Sequence, residues 1–161
     1  MDGGWHSRVS EIWASAGTMA DIDVVAAIDA LVAERAADDA SAVFEAASVR
    51  DYAGLESEAE PLHRRAIELG LDDATLPQAI IQLASTLRNI GKIEESVGML
   101  QRHLQQHPDD KWTGPTSAFL ALALISRGNE RDGASVALTA LAEYLPVYSG
   151  TVRNYARQLR N

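Results

Sequence analysis

A chain of 161 residues without cysteine, 47% hydrophobic but only 6% aromatic, has length for one packed domain and builds its core from Ala, Leu, Ile and Val. The missing cysteines exclude disulfides and thiolate-bound metal. The net charge of −9 is uneven: residues 1–80 carry 5 basic and 16 acidic side chains, whereas residues 81–161 carry 9 and 7. An acidic first half disfavours nucleic acid and anionic lipid as partners.

The start MDGGWHSR lacks the apolar run of a secretory signal. The longest continuous apolar stretch, Phe119 to Ile125, is about a third of the roughly 20 residues that span a bilayer. A soluble, cytoplasmic protein is expected.

Taken in order, the apolar and small residues predict helices near Trp5–Ala16 and Asp21–Ala36, on either side of Gly17. Next come Ala42–Tyr52 and Glu56–Leu69 around Gly54, then Leu76–Ile90 and Ile93–His107 around Gly91. The last pair is Pro115–Arg127 and Glu130–Leu145 around Gly128, followed by a helix over Val147–Arg160. Gly70, Pro108 and Pro146 close the second helices of the later pairs.

The four turn glycines recur every 37 residues, and their surroundings keep the same register. An acid follows four positions later (Asp21, Glu58, Glu95, Asp132), where it complements a helix start. A small residue precedes by seven (Ser10, Ala47, Ala84, Ala121), and another follows by five in three copies (Ala59, Ser96, Gly133). Facing small residues let the two helices of each αα-hairpin approach closely. Copy one carries Ile22 at the second of these positions, which predicts distorted packing. Each hairpin leaves apolar surface that a neighbouring hairpin must cover, so the copies stack. The final helix lies out of register. Val152, Tyr155, Ala156 and Leu159 on one side and Arg153, Arg157 and Arg160 on the other make it a cap.

These marks resemble the tetratricopeptide repeat: Ala47–Gly54–Ala59–Ala66, Ala84–Gly91–Ser96–Pro108 and Ala121–Gly128–Ala140–Pro146. The departures are the 37-residue period, three longer than usual, and Arg50 where an aromatic or apolar residue normally packs. More narrowly, Phe44–Asp51, Gly54–Leu71, Ser85–Gly91 and Phe119–Ala134 are similar to the bacterial group-5 tetratricopeptide domain. The resemblance implies a single all-α domain over residues 1–161. That domain would be a right-handed α-solenoid with repeats near 5–37, 41–71, 76–108 and 115–146 and a capping helix at 147–160.

No phosphate loop, nucleophile elbow or zinc-protease motif occurs, so no catalytic residue and no cofactor is expected. His103 and His107, four apart, could present two imidazoles to a metal, with Asp109 or Asp110 nearby. However, His103 occupies the slot of Ala66 and Ala140 in sister copies, which predicts a residue wedged between helices and no metal. His63 reads as a partly buried packing residue.

In tetratricopeptide stacks the first helix of each hairpin lines the concave face. That geometry implies a groove carrying Phe44, Glu45, Ser48, Asp51 and Tyr52 from copy two, and Ile81, Gln82, Ser85, Arg88 and Asn89 from copy three. Copy four would add Phe119 and Leu122, with Ser126 at the rim. Polar groups of both signs on an apolar stack fit a peptide groove; equally, Glu45, Asp51 and Arg88 could satisfy one another and hold the stack together. A clamp for a terminal carboxylate is poorly supported, because Arg88 and Asn89 are its only candidates.

The expected function is non-catalytic capture of a peptide or protein segment, without nucleic acid or membrane. Self-association into a homo-oligomer is the alternative.

Overall fold

The computed structural model describes residues 3–108 and 110–160, which divide into two compact units between Gln82 and Leu83. Nine α-helices and no strand occur among the described residues. They are α1 (Gly3–Ser15), α2 (Asp21–Val32), α3 (Ala40–Tyr52), α4 (Glu56–Leu69), α5 (Leu76–Asn89), α6 (Ile93–Gln106), α7 (Thr113–Ser126), α8 (Glu130–Ala142) and α9 (Ser149–Gln158). The first unit holds α1–α4 and the first half of α5; the second holds the rest of α5 and α6–α9. Within each unit, helices pack on their neighbours in chain order, as hairpins.

Three of the periodic glycines make the same turn. Gly54, Gly91 and Gly128 have φ of 71°, 83° and 88°, a left-handed conformation that favours glycine. In each turn the next residue's N–H reaches back to close the helix: Leu55 to the Arg50 carbonyl at 2.8 Å, Lys92 to Leu87 at 2.8 Å and Asn129 to Leu124 at 2.9 Å. This is the Schellman arrangement, which satisfies carbonyls that a helix end leaves open. Gly17 is different. It lies in a short 3-10 helix (Ala16–Thr18) without positive φ, because α1 and α2 are joined by a longer connection ending at Ala20.

The small residues mark the closest helix approaches. Ala47 and Ala59 are fully buried in the first unit. In the second, the buried Ser96 hydroxyl donates to the Ala84 carbonyl at 2.6 Å, so α5 and α6 meet at that pair. A Cβ built on Gly133 would stand 2.8 Å from the Ala121 carbonyl oxygen, so α7 and α8 approach too closely for a side chain there. Copy one lacks this contact, with Ser10 exposed and Ile22 73% exposed. Its hairpin is held instead by Trp5, which is buried and donates from Nε1 to the Leu31 carbonyl at 2.8 Å.

The core of the first unit joins Trp5, Val9, Val24, Ile28, Leu31 and Val49, with a second cluster of Phe44, Ala66, Leu71 and Ala79. Arg50, the departure from the repeat pattern, is a strut there. Its guanidinium meets Asp29 through two hydrogen bonds of 2.9 and 3.1 Å and also donates to the Ala46 carbonyl. A forked ion pair therefore joins α2 to α3 where an apolar side chain would usually pack. In the second unit, α9 buries Ala156 and half-buries Val152, and Leu159 just after it is half-buried as well. Tyr155, expected on the same side, is instead 64% exposed beside the buried Ala156.

Candidate functional site

In the first unit the expected groove residues of α3 divide into two groups. Phe44 is interior: it packs with Ala66, Leu71 and Ala79, and its ring lies 6.1 Å from that of His63. Glu45, Ser48, Asp51 and Tyr52 carry the polar contacts. Ser48, itself buried, donates to Gln82 Oε1 at 2.8 Å, so two expected site residues from different helices do meet.

Glu45 and Tyr52 are organised by a residue that the sequence reading missed. Trp13 of α1 donates from Nε1 to Glu45 Oε2 at 2.7 Å, and its ring meets Tyr52 edge-on at 5.7 Å. Tyr52 also donates to the Ala16 carbonyl at 3.2 Å while staying 42% exposed. Burial raises the Glu45 pKa above the usual carboxylate range, with the Trp13 hydrogen bond opposing part of that shift. A tryptophan in a helix too irregular to fit the repeat was the available signal.

Asp51 is engaged by the core. His63, fully buried, sets Nε2 2.7 Å from Asp51 Oδ2, which ties α4 to α3. His63 is thus more than the partly buried packing residue expected, and its Nδ1 has no partner among the described residues.

In the second unit, Ser85 and Arg88 are half-buried and Asn89 exposed on α5, and Phe119 is half-buried on α7. Arg88 donates from Nη2 to Asn89 Oδ1 at 2.9 Å, while its Nε is buried without an acceptor among the described residues. A buried guanidinium donor without a partner is costly.

The histidine pair lies elsewhere in this unit. His103 is buried, its ring 4.9 Å from that of His107. No group of three or more metal-ligating side chains occurs among the described residues, and Asp109 lies outside them. Burial, then the neighbouring His107, hold the His103 pKa below the ordinary histidine value. The unfolded chain therefore binds this proton first as pH falls, so stability should decline from pH 8 towards 5.5. Urea midpoints at the two pH values measure this, and His103→Gln should shrink the decline; an equal decline in the variant would remove His103 as its source.

Hairpins repeated along the chain, closed by one kind of glycine turn and bearing polar side chains on their first helices, define a helical-repeat module. The family model described as a tetratrico peptide repeat matches residues 40–159, and the chain belongs to that family. The match begins at α3, after the hairpin whose glycine and small residues break the pattern. Comparison with curated proteins and with solved structures gives no match. Tetratricopeptide domains are generally protein–protein interaction modules and typically non-catalytic. Among the described residues, no helix is long and apolar enough to cross a membrane.

Proposed function

We propose that this chain is a non-catalytic module that captures a peptide or protein segment through polar side chains on the first helices of its hairpins. In the second unit the reading residues are Ser85, Arg88 and Asn89 of α5, with Phe119 of α7. In the first unit they are Tyr52, Gln82 and Glu45, with Ser48 and Asp51 behind them as supports and Phe44 as the apolar backing. The observation that carries the reading is Arg88: among the described residues its Nε lacks an acceptor and its side chain donates to the adjacent Asn89 alone. Its planar fork suits a carboxylate or successive backbone carbonyls.

Selection from a random peptide library by the purified chain tests this. A consensus sequence should emerge, and Arg88→Glu should weaken the selected peptide by at least about tenfold, the scale of one charge-assisted hydrogen bond. Helix content by circular dichroism should stay unchanged in that variant. Unfolding by Arg88→Glu would make Arg88 a structural strut. Retained binding would place the recognition surface elsewhere.

A further inference from the structure

Away from these residues, the second unit contains a cavity of about 550 Å³ between the end of α6, the start of α7 and the end of α8. Its size is in the range that holds small organic ligands. One wall is apolar, formed by Leu104, Leu120, Val136 and Ala140. Tyr144 extends across the start of α7, where only a glycine leaves space: a Cβ on Gly114 would stand 2.8 Å from the tyrosine hydroxyl.

The charges around the cavity are unequally engaged. Asp110 accepts the Trp112 N–H at 2.6 Å, and Glu143 accepts from Arg153 at 2.7 Å. Lys111 and Arg160 have no carboxylate partner among the described residues. The Lys111 ammonium is held 5.5 Å from the centre of the Trp112 ring. Among the described residues the lining charges without an ionic partner are thus Lys111 and Arg160, both positive, and Asp110, negative, a balance that is positive, in the half of the chain that carries 9 basic and 7 acidic side chains.

A polar group also faces the apolar wall. Ser117 lines the cavity, is only 8% exposed, and its hydroxyl makes no hydrogen bond among the described residues. At the same α6–α7 junction, His103 Nε2, Trp112 Nε1 and Thr116 Oγ1 are buried without partners among the described residues. Native interiors rarely leave such groups unpaired, and each calls for an explanation.

We propose that this cavity is a second binding site, for a small amphipathic acid: an apolar body ended by a carboxylate. The body lies on Leu104, Leu120, Val136 and Ala140. The carboxylate meets Lys111 and Arg160 and accepts from the Ser117 hydroxyl. A neutral or cationic ligand of the same shape would leave both cations unpaired and bind less well.

Titration of the whole chain with decanoate below its micelle concentration, followed by amide NMR shifts, tests the assignment. Decanoate should shift residues around the cavity, decanol should bind at least about tenfold more weakly, and decylammonium should not bind there. Lys111→Glu with Arg160→Glu, both exposed, should weaken decanoate by at least about tenfold. Ala140→Phe should abolish binding by filling the apolar wall; if that variant does not fold, the charge-reversed pair decides. Arg88→Glu should bind decanoate as the parent does, which separates this site from the peptide-binding reading. Equal affinity for decanoate and decylammonium, unaltered binding in the charge-reversed variant, or shifts outside the second unit would overturn the proposal.

Discussion

Ala84→Leu should lower stability by about 1–3 kcal/mol, the usual cost of forcing extra methylenes into a packed interior. Ala84 is fully buried, and its carbonyl receives the Ser96 hydroxyl at 2.6 Å, so α5 and α6 have no room to accept a longer side chain. For a domain of this size each kcal/mol moves Tm by roughly 2–4 °C, which makes the expected fall about 2–12 °C. Thermal denaturation followed by circular dichroism measures it. Ala84→Ser adds one small atom and serves as the control, with a smaller loss expected. An unchanged Tm for the leucine variant would mean that the two helices separate at this point without cost.

The second large effect is expected at the buried pair of Asp51 and His63. Asp51→Ala removes the acceptor 2.7 Å from His63 Nε2 and leaves a fully buried imidazole with neither nitrogen satisfied. Leaving one such group unpaired costs about 1–3 kcal/mol. The double variant Asp51→Ala with His63→Leu should recover much of that loss, because removing both partners leaves no orphan. Urea unfolding of the two single variants and the double variant gives the coupling directly. Strictly additive losses would show that Asp51 supports the fold through some other contact.

The two sites differ in how far they could be read beforehand. Gln82, Ser85, Arg88 and Asn89 lie on one helix, and helical spacing alone places them along α5. Their partners were less accessible. Glu45 was read as a groove residue or as part of a network with Asp51 and Arg88; its hydrogen bond comes from Trp13, 32 residues away. Phe44 satisfied the same spacing rule as Glu45, yet one position of rotation around α3 puts it in the interior cluster. The cavity of the second unit was invisible in the sequence because its walls come from three helices, the connection between α6 and α7, and Arg160 near the end of the chain.

By itself the sequence determined the helices, their order and three of the four turns. Those features are local: a glycine that can take positive φ, small residues at fixed offsets and an apolar period near 3.6 act within one hairpin. The turns at Gly54, Gly91 and Gly128 accordingly agree with their spacing. Tertiary structure alone decided which polar groups meet. Arg50 pairs with Asp29 across 21 residues, Tyr52 reaches Ala16 across 36, and His63 and Asp51 join neighbouring helices. Gly17 was also decided there, since a longer connection between α1 and α2 removed the need for a left-handed turn. A side chain's partner depends on which helix face stands opposite it and at what distance, and periodicity within one helix carries no information about the rotation of the next.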